Sequence, residues 1–113
     1  MSKHDRRALD DARARLASGF AAFSFGVEEE DLLQPTRGSA DTAFVRQAAM
    51  YLAHVSFEMS LARVASAFER DRSTVAHACR LIEDRRDEPD FDAHIGALEE
   101  ALRLAPPPRC GRR

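Results

Sequence analysis

The stretch LARVASAFERDRSTVAHACRLIEDRR, residues 61–86, constrains the fold more than any other part of the chain. It holds two apolar-periodic segments: Leu61, Val64, Ala65 and Phe68 in the first, and Val75, Ala78, Cys79 and Ile82 in the second. Their steps of three and four residues put side chains on one face of an α-helix. Between them lies the charged corner Glu69-Arg70-Asp71-Arg72, too short to let the two helices separate. A short helix, a tight corner and a second helix opening on small polar and basic side chains form the pattern of a helix-turn-helix.

Helical spacing recurs along the rest of the chain, and no stretch alternates apolar and polar residues for long enough to make a strand. Leu9, Ala12, Leu16, Phe20 and Phe23 define a first helix, which Gly26 is placed to stop in a left-handed conformation. Phe20, Phe23 and Phe25 are expected in the core. A short helix over residues 28–33 follows, with acids in its first turn. The loop QPTRGSAD then offers Ser39 or Asp41 as cap of a helix over residues 42–57, with Val45, Ala48, Ala49, Leu52 and Val55 inward. Ser60 is expected to cap the short helix of the corner, and Asp71 the helix running from residue 72 to 86. Pro89 breaks the chain, and Asp90 is expected to cap a last helix carrying Phe91, Ile95, Leu98 and Leu102. The expected fold is an all-α domain of about five or six helices over residues 1–104, with the helix-turn-helix near residues 60–87. The tail over residues 105–113, rich in Pro and Arg, is expected to be mobile.

At 113 residues the chain has room for one domain and one modest core. The net charge of −2 argues against a uniformly basic coat for nucleic acid. That sum hides blocks, because VEEEDLL and RRDEPDFDAH hold much of the acid while Arg63, Arg70, Arg72, Arg80, Arg85 and Arg86 gather around the corner. Arg85 and Arg86 read as a solvated face paired with Glu83 and Asp84. No apolar run is long enough to span a membrane, and the N-terminal MSKHDRRALDDARARL is charged where a signal peptide is apolar, so a cytoplasmic location is expected. Cys79 lies in a helical apolar pattern and Cys110 in the tail, so no disulfide between them is expected.

Catalytic chemistry finds little support. No phosphate-binding G-x-x-x-x-G-K-[ST] occurs, the only lysine being Lys3, and no Ser-His-Asp or Cys-His set shares an arguable pocket. His4, His54, His77 and His94 are too scattered to form a metal site. No enzyme activity, cofactor, nucleotide or metal is expected.

The corner itself suits DNA. In a helix-turn-helix the first helix braces the second, whose N-terminal turn enters the major groove while its free amides meet phosphate. Arg72 can make a bidentate contact to guanine, Ser73 and Thr74 are short enough to admit the backbone, and the Thr74 methyl can touch a thymine methyl. The alternative is that these three residues are only the capped start of an exposed helix. His77, one turn further on, either contacts base or phosphate or rests half-buried against Arg80.

VRQAAMYLAH, LARVASAF and RDRSTVAHACRLI together resemble the C-terminal DNA-binding domain, domain IV, of the bacterial replication initiator DnaA. That family carries a helix like R-Q-x-A-M-x-L-A, a short helix ending in Phe, and the signature G-R-D-H-T-T-V-x-H-A. The matches are Arg46-Gln47, Ala49-Met50, Leu52-Ala53 and the segment from Arg70 to Ile82. The resemblance implies a Trp-repressor-like helical fold and sequence-specific binding of double-stranded DNA in the nucleoid, regulating replication initiation or transcription at DnaA-box-like sites. It further implies that Arg70, Asp71, Ser73, Thr74 and His77 belong to the major-groove segment, and Arg72 and Arg80 in the same segment are expected among the DNA-binding residues with them. Arg37 and Arg46 would stand for the basic loop and the helix that follows it. The chain departs from the family in three places: Arg72 replaces a His, the single Glu69 replaces Gly-Gly, and the loop carries one arginine instead of several. These departures leave room for an alternative, a module of the same fold that modulates the initiator or its regulatory proteins by contact, with little DNA binding.

Overall fold

The computed structural model describes residues 2–32 and 40–106. Among them run six helices: α1 (Lys3–Phe25), α2 (Glu29–Leu32), α3 (Ala40–Ser56), α4 (Leu61–Phe68), α5 (Arg72–Arg85) and α6 (Pro89–Leu104). The all-α expectation holds. Residues 33–39, with the loop arginine Arg37 and the candidate cap Ser39, lie outside the described residues, as do residues 107–113 of the tail.

Helix α3 is the centre. Every residue from Ala48 to Ala53 is buried, so the helix is enclosed on all sides and not only along one stripe. It touches each of the other five helices. The first helix lies against it through small side chains. Ala14, Ala17, Ser18, Ala21 and Ala22 are buried, and Ala17, Ala21 and Ala22 share a cluster with Ala49, Met50, Leu52 and Ala53 of α3. This corrects the expected stripe. Leu9, Leu16 and Phe20 flank the contact half-buried, and Phe23, expected in the core, is 90% exposed. Side chains without bulk let two helix axes approach closely, and larger residues are displaced to the edges of such a contact.

The helix ends follow local chemistry. Ser2 caps α1 by accepting from the Asp5 amide at 3.1 Å, and Gly26 ends it at φ 74°, a conformation open to a residue without Cβ. Ser60 caps α4, its Oγ accepting from the Arg63 amide at 3.2 Å. Asp71 stands at the N-cap of α5 as expected, but its side chain makes no capping hydrogen bond. The last helix starts earlier than expected. Pro89 opens α6 and Glu88 precedes it as cap, because the fixed φ and missing N–H of proline suit the first helical turn. Asp90 therefore sits inside that turn, with Asp92, where the helix dipole favours carboxylates. Asp41 likewise falls within the first turn of α3.

Two apolar clusters meet at α5. Val75 and Ala78 join Leu52 and Val64, with Leu61, Phe68 and half-buried Cys79 against them. Ile82, on the same apolar face of α5, belongs instead to a second cluster with Ala48, Tyr51, Phe91 and Ile95, which ties α5 to α3 and α6. Phe68 closes the α4–α5 corner from one side and is only partly buried. Phe68→Ala is therefore expected to cost about 2–3 kcal/mol, below the range for a fully enclosed phenylalanine. A urea melt followed by circular dichroism measures it, and an unshifted midpoint would contradict this packing of α4 on α5.

Candidate nucleic-acid interface

Helix α5 has two faces of different chemistry. Val75, Ala78 and Ile82 are buried on one side, while Arg72, Ser73, Thr74, His77 and Arg80 are exposed on the other. The separation follows from the 3.6-residue period: once Val75 and Ala78 are fixed inward, residues 73, 74, 77 and 80 must look out. Among the described residues, none of those five outward side chains makes a hydrogen bond or ion pair with the rest of the protein. The first amides of α5 also have no acceptor within the helix, so its N-terminus is an anion-attracting end flanked by Arg72.

The corner preceding it is built by strain and hydrogen bonds. Glu69 caps α4 in the left-handed conformation at φ 56° and ψ 49°, its amide donating to Ser66 O at 3.3 Å. The Arg70 amide donates to Ala65 O at 2.9 Å and Val75 N to Asp71 O at 3.1 Å. The turn thus spans only Glu69 to Asp71. A β-carbon at such φ is disfavoured by about 1–2 kcal/mol, and glycine would relieve it. Here the sequence has one glutamate, so the tight turn is formed against local preference.

The other arginines near the corner are engaged elsewhere. Arg63 on α4 holds Asp10 of α1 in a two-pronged ion pair, Nε to Oδ2 at 2.9 Å and Nη2 to Oδ1 at 2.6 Å, with Asp10 only 5% exposed. Arg46, expected among the DNA-contacting residues, is 8% exposed. Its Nε donates to Leu32 O at 3.1 Å and Nη2 to Asp31 O at 3.3 Å, so its guanidinium closes the end of α2 onto α3. Burial, and then the nearby charge of Arg70, pulls the Arg46 pKa down. Asp71 is exposed beside the helix N-terminus, and Arg70 is half-buried.

Arg85 and Arg86, expected on a solvated face with Glu83 and Asp84, do something else. Arg85 lies over the rings of Phe91 at 4.5 Å and Phe44 at 4.9 Å, with Glu88 at 3.8 Å. Arg86 bridges three helices: Nε meets Asp92 at 2.6 Å, and Nη1 meets Tyr51 Oη at 2.9 Å and Glu99 at 3.0 Å. Glu83 accepts from Tyr51 Oη at 2.9 Å. Spacing within one helix could not disclose these partners, which come from α3 and α6.

Burial and then Glu83 push the Cys79 thiol up to about 11, leaving it protonated near neutral pH. Among the described residues no group of His, Cys, Asp and Glu could hold a metal ion, and no helix is long and apolar enough to cross a membrane.

Comparison with known proteins falls on this same region. The family model described as bacterial dnaA protein helix-turn-helix matches residues 21–82. The chromosomal replication initiator protein DnaA of Laribacter hongkongensis is 43% identical over 67 residues, which are 58% of this chain and 14% of that protein. DnaA 1 of Chlamydia pneumoniae is 35% identical over 80 residues, 71% of this chain and 17% of that protein. A crystal structure of a DNA replication initiation factor superposes with a TM-score of 0.73 at 31% identity, covering 89% of this chain and 30% of that one. The chain thus spans less than a fifth of the length of these two curated relatives.

The strained cap offers a test. Glu69→Gly is expected to stabilise the protein by up to about 1 kcal/mol, and Glu69→Ala to give no such gain, because alanine keeps the β-carbon. Equal urea midpoints for the two variants would mean that the turn is not left-handed at this residue.

Proposed function

Since the chain belongs to the bacterial DnaA helix-turn-helix family, a family that binds DNA through this motif, we propose that it binds double-stranded DNA with α5 in the major groove, at DnaA-box-like sites, and thereby regulates replication initiation or transcription in the nucleoid. The observation that carries this reading is the outward row of α5. Arg72, Ser73, Thr74, His77 and Arg80 are exposed and unengaged, whereas Arg63, Arg85 and Arg86 around them are held by internal partners. Arg72 at the first turn is the candidate for bidentate contact to guanine, Ser73 and Thr74 allow the backbone to come close, and His77 and Arg80 continue the row towards phosphate. Arg70 and Asp71 place that row by forming the turn. Arg46 supports the interface from behind by fixing α2 on α3. Arg37 is the candidate loop contact, supplying charge with little base information.

A second reading rests on the acids. Glu28, Glu29, Glu30 and Asp31 are all exposed, and such a surface repels phosphate while suiting a basic protein partner. In that reading the module acts on the initiator or its regulators by contact.

Both readings meet one experiment. Arg72→Ala and Thr74→Ala are each expected to lower affinity for a preferred duplex by about 1–3 kcal/mol and to flatten its advantage over a scrambled duplex. Titration by fluorescence anisotropy measures both. Replacing Arg72, Ser73 and Thr74 together with Ala should abolish any effect on initiation timing that works by DNA occupancy. A triple variant that still shifted initiation as wild type does would sink the DNA reading in favour of protein contact.

A further inference from the structure

Beside the corner, bordering the main apolar cluster at Leu32, Ala67 and Phe68, a cavity of about 480 Å³ opens between α1, α2, α3 and the end of α4. Four arginines line it, Arg7 and Arg15 from α1, Arg46 from α3 and Arg70 from the corner. Among the described residues the carboxylates of its walls are Asp11 and Glu69, so this part of the lining carries a net positive charge. Asp11 is already paired with Arg7, at 3.4 Å. Arg46 faces inward and feels the charge of Arg70 strongly enough for its pKa to fall further than burial alone would take it. Arg15 is exposed at the cavity wall and makes no hydrogen bond or ion pair among the described residues. Like charges gathered in a concave site raise one another's energy, and an anion entering the site removes that cost.

The position of the cavity indicates which anion. Its wall includes Glu69 and Arg70, and the next residues along the chain are Asp71 and the exposed N-terminal turn of α5. The cavity wall thus ends within two residues of Arg72, next to the turn on which the proposed duplex would lie. We propose that this cavity is a phosphate site, filled by a backbone phosphate of the bound duplex, with Arg15 of α1 as its principal uncommitted donor. The proposal rests on the DNA-binding reading for the source of the phosphate. It makes α1 a second, sequence-independent contact alongside α5, and so restores charge to an interface whose loop carries a single arginine.

The test measures affinity of wild type and Arg15→Ala for a DnaA-box duplex and a scrambled duplex across a salt series, with an inorganic pyrophosphate titration followed through arginine side-chain Nε–H resonances. Arg15→Ala is expected to weaken both duplexes equally, roughly five- to tenfold at 0.1 M salt, and to lower the slope of log affinity against log salt by about one. Its unfolding midpoint should match wild type, because Arg15 holds no internal partner, and Arg15→Gln provides the same comparison if Arg15→Ala folds poorly. Pyrophosphate is expected to move the Arg15 and Arg70 resonances in wild type and to lose its effect on Arg70 in Arg15→Ala. If the duplexes fail to bind while pyrophosphate still moves these resonances, the DNA reading falls and the site stands as one for a free phosphate. If the duplexes bind wild type and Arg15→Ala alike, with the same salt slope, and pyrophosphate moves nothing, the phosphate site is overturned and the α5 reading survives. A silent response to every probe overturns both.

Discussion

Small-residue contact between α1 and α3 sets the geometry on which the rest of the structure depends. Ala17 and Ala21 are fully buried in the cluster that holds Ala49 and Ala53, so the two longest helices can lie close together. With α1 held there, Asp10 comes within reach of Arg63 and the buried ion pair ties α1 to α4. Removing Arg63 would leave the nearly buried Asp10 carboxylate without its counter-ion, which makes that loss more costly than breaking an exposed pair. The first helix of the corner is thus braced from behind by α1 and from the side by α3.

The arginines divide by what surrounds them. Those that face other helices have found carboxylates, carbonyls or aromatic rings: Arg63 with Asp10, Arg46 with the end of α2, Arg85 over Phe44 and Phe91, Arg86 with Asp92, Tyr51 and Glu99. Those on the outer face of α5 have not. A net charge of −2 is therefore compatible with a locally positive face, because acidic groups neutralise arginines at the back of the molecule and leave the row from Arg72 to Arg80 without such partners.

The legible parts of the fold were those fixed by short-range chemistry. Ser60, Gly26 and the apolar steps of α4 and α5 are local signals, and the structure puts helix ends and inward faces where they indicate. The exposure of Arg72, Ser73 and Thr74 agrees with Val75 and Ala78 read as core, whereas His77, for which a half-buried place against Arg80 stood as an alternative, is exposed. Failures arose where the deciding partner is distant in the chain. The carbonyl partners of Arg46 come into view only once α2 is folded against it, and Arg85 and Arg86 look solvated until α6 brings Phe91, Asp92 and Glu99 to them. Phe23 misled for a related reason: hydrophobicity alone gives no hint that alanines would be chosen for the close face. Pro89, read from sequence only as a breaker, instead opens α6, because its fixed φ and missing N–H suit the first helical turn.

Arg85 and Arg86 anchor α5 at its C-terminal end, through rings and carboxylates of α3 and α6, whereas among the described residues the side chains of Arg72, Ser73 and Thr74 at its N-terminal end make no hydrogen bond or ion pair. The helix is built like a cantilever, clamped at one end and presenting the other. Residues 72, 73 and 74 can then be exchanged in the course of descent without disturbing the core, while Val75, Ile82 and Arg86 cannot. Substitutions such as the arginine that stands where the family has histidine are the kind such an arrangement tolerates. Exposure and core membership thus fall on separate residues, so the outer face of α5 can change in a copy of this module without loss of the fold.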